Sequence, residues 1–183
     1  MKSLLLMLSL IIATNGMSQK MDSTKSIVDK YVVENNAVSY ITPFDLPGKT
    51  KKEIKELAIN KFTTDPRLSI ISASISDDQI TGSFKDLEIN YKKYGYKWSN
   101  ITVWLIHPMT AEFVIQFKDD KYRVIVKNVK SVVAANQMSL PLNDFVDKNG
   151  KLPTSNNTLR SFYAFGKTMD DIFDVKNDSK KDW

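Results

Sequence analysis

Residues Ala111–Val129, AEFVIQFKDDKYRVIVKNV, alternate apolar and polar side chains on both sides of a central acidic pair. Phe113, Ile115 and Phe117 alternate with Glu112, Gln116 and Lys118. Beyond Asp119-Asp120, Tyr122, Val124 and Val126 alternate with Arg123 and Lys127. A period of two sends successive side chains to opposite faces of a strand, and aromatic and β-branched residues suit a pleated surface buried on one side. The stretch reads as an antiparallel hairpin whose two-residue turn is the acidic pair. Its apolar face requires a covering layer from elsewhere in the chain.

The helix upstream announces itself by its start. Pro47-Gly48 makes a turn, and Thr50-Lys51-Lys52-Glu53 has the spacing of a capping box, which predicts a helix to about Phe62 with Ile54, Leu57, Ala58 and Phe62 inward. Pro66 ends it. Before it, residues 37–46 (AVSYITPFDL) read as a strand with Val38, Tyr40 and Phe44 on one side; Pro43 places that strand at an edge or a bulge. After it come Leu68–Ser76, with Ile71, Ala73 and Ile75 inward, and Ile80–Ile89, where Gly82 and a parity shift between Phe84 and Leu87 indicate a bulge. Asp77-Asp78 and Asp119-Asp120 both read as turns that call for positive φ. Tyr91–Trp98 and Ile101–Ile106 read as further strands. At the C-terminal end, Leu159, Phe162, Phe165, Met169, Ile172 and Phe173 share one helical face, predicting a helix over about Thr158–Val175, capped within Ser155–Asn157.

The segment FDLPGKTKKEIKELAINKF and the hairpin FKDDKYRVIVKNV together resemble a secreted bacterial domain-of-unknown-function family with a TATA-box-binding-protein-like (TBP-like) fold. Pro47, Gly48, Thr50 and Glu53 match its helix-opening motif. Lys118, Asp119, Lys121, Tyr122 and Arg123 match its hairpin motif. Asp120 stands where a turn glycine is usual, and Phe62 where many members carry tryptophan. The resemblance covers Val38–Val129. It implies an α+β fold with a curved antiparallel sheet and helices packed on one face, in β-α-β-β-β-β-α order. It implies no activity, and a shared fold does not confer function.

The chain begins with a positive Lys2 and the apolar run Leu4–Ile12, with Gly16 and Ser18 placed for cleavage before Gln19. This is the pattern of a secretory signal peptide over residues 1–18, and the run is too short to span a bilayer. The expected organisation is then an N-terminal arm or short helix at 19–36, the TBP-like domain at 37–130, a connecting segment and packed helix at 131–176, and a mobile tail at 177–183. The expected location is periplasmic, outer-surface or extracellular. With no cysteine, such a protein relies on burial rather than disulfides, and no acylated cysteine can anchor it. Net charge is +5, with basic and acidic residues interspersed rather than gathered in a tail, which identifies no partner by itself.

Enzyme chemistry has little material. His107 is the sole histidine and precedes Pro108; a general base needs a positioned partner. No Gly-x-Ser-x-Gly elbow, Gly-rich phosphate loop or cysteine nucleophile occurs. Asp170, Asp171 and Asp174 read as a solvated helix face, with Lys167 at i,i+4 from Asp171, rather than as metal ligands, and no cofactor is expected. Tyr94, Tyr96 and Trp98 share strand parity beside Lys93 and Lys97, a row able to stack on sugars, bases or peptide side chains. These three are the candidate ligand-binding residues. Asp22-Ser23-Thr24 resembles an O-glycosylation acceptor. Lys118, Lys121 and Arg123 read as the solvent side of a structural turn. The expected function is a non-enzymatic exported module that binds a protein, peptide or glycan. Nucleic-acid binding on an open sheet face, and a hydrolase using His107, are the alternatives.

Overall fold

The computed structural model describes residues 29–35, 37–133, 138–147, 151–152 and 155–176, apart from the side chains of 70–74. Its centre is the hairpin. Strand β5 (Met109–Lys118) and strand β6 (Lys121–Val133) pair with Phe113 opposite Val126, Ile115 opposite Val124 and Phe117 opposite Tyr122, and all six are buried. The sheet grows outward from this pair. On one side lie β4 (Gln79–Leu87) and β3 (Leu68–Ile75); on the other lie β2 (Ala37–Asp45) and then β1 (Tyr31–Glu34). A short β7 (Met138–Pro141) pairs with the far end of β6, completing a seven-stranded antiparallel sheet.

Pro43 occupies the stretch of β2 that β1 does not reach. The Ile41 amide donates to Lys30 on the β1 side at 2.8 Å, so two residues on, the missing amide of Pro43 faces the open edge. That is where a strand tolerates proline. The bulge expected in β4 falls between Phe84 and Leu87, with Asp86 at φ +54°. Gly82 has a different reason: a Cβ there would lie 2.3 Å from Phe113 Cζ and 2.7 Å from the Ser69 carbonyl, so only glycine lets β3 and Phe113 close on β4.

Helix α1 (Lys51–Thr64) starts as its capping box dictates, the Thr50 hydroxyl accepting from the Glu53 amide and the Glu53 carboxylate accepting from the Thr50 amide at 2.8 Å. It buries Ile54, Ala58 and Phe62; Leu57, read as part of the stripe, is largely exposed. Helix α2 (Asn156–Phe173), capped by Ser155, buries Phe162, Phe165, Met169, Ile172 and Phe173 on the aromatic face of the sheet. Phe62 of α1 and Phe113 of β5 both meet Phe173 edge-on, so the two helices and the sheet share one core.

Three tyrosines fix α2 along its length. Tyr31 donates to the Phe162 carbonyl (2.6 Å) and Tyr40 to the Gly166 carbonyl (3.0 Å). Tyr122 donates to the Phe173 carbonyl (2.7 Å) and accepts from the Val175 amide. Asp170 receives Tyr40, Thr42 and Lys30, tying the helix to β2. Each ring is apolar on its body and satisfied at its tip, the condition for burying tyrosine.

Several elements depart from the sequence reading. Tyr31 and Val32, within the stretch 19–36 read as an N-terminal arm or short helix, lie in β1, because β2 offers an edge for pairing that local sequence cannot reveal. Ile27, Val28 and Asp22-Ser23-Thr24 lie outside the described residues, as do the signal segment and the tail from residue 177. Tyr91–Trp98 and Ile101–Ile106 form no strands. They are 3-10 turns at Tyr91–Tyr94, Trp98–Asn100 and Val103–Ile106. Asn90 caps the first turn and Gly95 ends it at φ +77°. β4 and β5, the strands this segment joins, are each paired on both sides, and its rings pack against α2 instead. Of the four turn aspartates only Asp120 has positive φ, at +65°.

The acidic turns converge on the start of α1. Asp119 Oδ1 accepts from the Lys51 amide and Asp120 Oδ1 from the Gly48 amide, both at 2.7 Å; the Asp120 amide and carbonyl bond to Lys49 and Leu46. Asp78 accepts from Lys51 Nζ at 2.6 Å. Removing the Asp119 contact strips a helix-start amide of its acceptor, a loss of about 1 kcal/mol. Asp119→Ala is therefore expected to lower Tm by about 2–4 °C, read by calorimetry, whereas a turn carboxylate that only faces water would leave Tm unchanged.

Burial pushes the hydroxyl pKa values of Tyr31, Tyr40 and Tyr122 well above the ordinary phenol value, reinforced by the nearby Asp170 carboxylate for Tyr31 and Tyr40 and by Asp174 for Tyr122. A raised folded-state pKa stabilises the protonated form, so its contribution is complete below about pH 10 and declines as pH rises above that. Chemical denaturation midpoints should fall steeply above about pH 10, and a Tyr122→Phe variant should show a shallower decline. Equal slopes for the two proteins would contradict this account.

Candidate binding face

The two faces of the sheet differ in kind. One is aromatic and covered by the helices. The other alternates with it in register and carries no helix among the described residues. Across β4, β5, β6 and β2 its central row is Thr81, Val114, Ile125 and Ile41, all half-buried. Toward the β5–β6 turn the next row is Gln79, Gln116, Arg123 and Pro43, followed by Lys118, Lys121 and Asp45. Toward the bulged end lie Ser83, Glu112 and Lys127, with Lys85 and Lys130 beyond. Aliphatic side chains thus form a stripe between two polar, mainly basic zones.

Local contacts set the electrostatics of this face. Glu112 accepts from Asn128 Nδ2 at 3.0 Å and lies 3.8 Å from Lys127 Nζ. Arg123 Nε donates to Gln116 Oε1 at 2.6 Å, fixing the guanidinium above the sheet. Lys118 and Lys121 stand directly opposite one another. The carboxylates of Asp119 and Asp120, next to Lys118 in the chain, and of Asp78 bond instead to Lys51 and Gly48. A shallow depression of about 680 Å³ spans the bulged end, lined among others by Ser83, Glu112, Asn128 and Lys130. A second, of about 560 Å³, lies at the turn end against Gln79, Gln116, Lys118 and Arg123.

The aromatic row expected from Tyr94, Tyr96 and Trp98 is not formed. Tyr94 is half-buried on α2, its hydroxyl at 3.2 Å from both Thr168 and Asp171, and burial raises its pKa. Tyr96 is buried against Tyr163. Trp98 is 71% exposed, on a separate turn. Strand parity united them only on paper; 3-10 geometry turns them in different directions.

His107 follows the third 3-10 turn and, among the described residues, has no hydrogen bond or ion pair to a carboxylate. The three aspartates of α2 diverge. Asp170 faces β2, Asp171 pairs with Lys93 at 2.7 Å rather than with Lys167, and Asp174 accepts from the Lys176 amide. No group of three metal-ligating side chains gathers among the described residues.

No protein-family model and no curated protein matches the chain. Solved structures do. A TBP-like protein from Parabacteroides distasonis aligns with a TM-score of 0.54 at 16% identity, covering 80% of this chain and 97% of the other. A DUF4468 family protein from Bacteroides ovatus aligns at 0.50 and 11% identity, covering 78% and 86%. The fold is TBP-like. At these identities the likeness carries the architecture and nothing about a ligand.

The dispersal of the aromatic row has a measurable consequence. Tyr96→Ala should cost about 3 kcal/mol through the cavity it opens, whereas Trp98→Ala should stay within about 0.5 kcal/mol. Urea unfolding of both variants checks this, and a comparable loss at Trp98 would show that the ring is packed in solution.

Proposed function

We propose that this protein is a non-enzymatic module, exported to the cell envelope or beyond, that binds a protein or peptide on the uncovered face of its sheet. The observation that carries the reading is the aliphatic stripe Ile41–Val114–Ile125, left half-buried and bordered by hydrogen-bonding and basic side chains. Such a surface suits polypeptide side chains and backbone. Glycan platforms rely on exposed rings, and among the described residues this face carries none: Phe44, Phe113, Phe117 and Tyr122 all project to the opposite side. Export is supported by the Lys2 n-region, the Leu4–Ile12 core and the Gly16/Ser18 cleavage pattern. Among the described residues no helix is long and apolar enough to cross a membrane.

A second reading, nucleic-acid binding, is favoured by one observation. The face is open and its cations, Lys85, Lys118, Lys121, Arg123, Lys127 and Lys130, outnumber Asp45 and Glu112. It would give a steep salt dependence.

The test pairs location with binding. The mature protein from its native host, fractionated and sequenced from its N-terminus, should begin at Gln19 in an envelope or extracellular fraction. Screened against peptide and glycan panels, it should bind peptides, and Ile125→Ser should weaken that binding about tenfold or more with little change in Tm. Glycan binding lost in Trp98→Ala would overturn the assignment of the site.

A further inference from the structure

We infer that the partner segment is acidic, with aliphatic residues set between its carboxylates, and that it seats those carboxylates over Lys118, Lys121 and Arg123 and its apolar side chains on the Ile41–Val114–Ile125 row. This rests on the protein-binding reading above and adds the chemistry of the ligand.

The turn end of the face holds three cations, Lys118, Lys121 and Arg123, that form no ion pair among the described residues. Lys118 and Lys121 are a directly opposed like-charge pair, an arrangement that costs stability in a sheet. Two turn aspartates lie between them in sequence, yet both are committed to amides at the start of α1. Asp78 is committed to Lys51. Asp45 is opposite Lys121 in register but forms no ion pair with it among the described residues. Among the described residues none of these carboxylates forms an ion pair with Lys118, Lys121 or Arg123, three cations that share one surface.

That surface is shaped to receive an anion. A depression of about 300 Å³ is walled by Pro43, Gln116, Lys118, Lys121, Tyr122 and Arg123, with no carboxylate among them, whereas its neighbour of about 560 Å³ has Asp78 and Asp119 in its wall beside Lys118 and Arg123. Gln116 holds Arg123 through Nε, which leaves its terminal N–H groups free to grip a carboxylate in bidentate fashion. Along β6 the exposed positions run Lys121, Arg123, Ile125, Lys127, a step of about 6.8 Å between neighbours. An extended chain repeats its side chains on the same step. It can therefore set carboxylates against the cations and an apolar residue against Ile125 in one register. Nucleic acid fits less well, because among the described residues this face offers no ring for a base to stack on.

Fluorescence anisotropy with three short labelled probes tests the inference. They are a Glu-Glu-Val-Ile-Val-Glu-Glu peptide, its Lys-flanked counterpart, and a single-stranded oligonucleotide of similar length. The Glu-flanked peptide should bind, more weakly as salt rises, and the Lys-flanked peptide should not. The Lys121→Glu/Arg123→Glu double variant should weaken the acidic peptide about tenfold or more and favour the basic one. The milder Lys121→Gln/Arg123→Gln pair should weaken the acidic peptide without gaining the basic one, separating charge from any loss of folding. Equal binding of both peptides, lost in Ile125→Ser, would sink the acidic partner while leaving the peptide-binding reading intact. Failure of both peptides would sink the two together. An oligonucleotide that binds more tightly than the acidic peptide would overturn both in favour of nucleic acid.

Discussion

The structure depends on the docking of the β5–β6 turn against the start of α1. A tight turn leaves carboxylates at its tip, and a helix start leaves amides without partners. Here the two deficits cancel. Asp119 satisfies the Lys51 amide, Asp120 satisfies the Gly48 amide, and the Asp120 main chain bonds to Leu46 and Lys49 on either side. Gly48 at φ +79° and Asp120 at φ +65° supply the two left-handed backbone positions that bring the segments together. The sequence motifs Pro-Gly-x-Thr and Lys-Asp-Asp-Lys-Tyr-Arg, more than sixty positions apart, are thus the two sides of one contact. The same contact turns both aspartates toward backbone amides, and neither forms an ion pair with Lys118 or Lys121 among the described residues.

With α1 placed, the second helix is positioned by ring tips rather than by ring bodies alone. Burial of Phe162, Phe165, Met169 and Phe173 brings α2 onto the sheet, but an apolar contact is non-directional. Hydrogen bonds from Tyr31, Tyr40 and Tyr122 to carbonyls along the helix, together with those from Tyr40 and Thr42 of β2 to Asp170 of the helix, fix its rotation and register. The segment between β4 and β5 then closes over α2 from outside through Tyr94, Tyr96 and Trp104. This is why its aromatics are structural where the sequence suggested a contact surface.

The basic residues of the hairpin changed meaning in the opposite direction. Alternation marks Lys118, Lys121 and Arg123 as solvent-side, and a solvent-side lysine beside an aspartate turn reads as neutralised punctuation. Only the direction in which Asp119 and Asp120 point shows that they bond to amides rather than pair with those lysines. No local pattern encodes it, because the donor amides belong to another element. Conversely, Tyr94, Tyr96 and Trp98 share parity only if the backbone is extended, and Asn90 and Gly95, a capping residue and a left-handed stop, were the signal against a strand.

Sequence alone determined the elements whose causes are local: the hairpin, from its period of two; the capped start of α1; the apolar face of α2; and the bulge after Phe84. It also determined that the fold is α+β, since one apolar sheet face and two amphipathic helices admit few other arrangements. Tertiary structure alone decided which face of the sheet stays open, that Tyr31–Glu34 pairs at its edge, that the 88–108 segment turns instead of extending, and which carboxylates are left for the lysines. Each of these depends on competition between distant segments for the same edge, face or donor. Residues that compete across the fold leave no period in the chain.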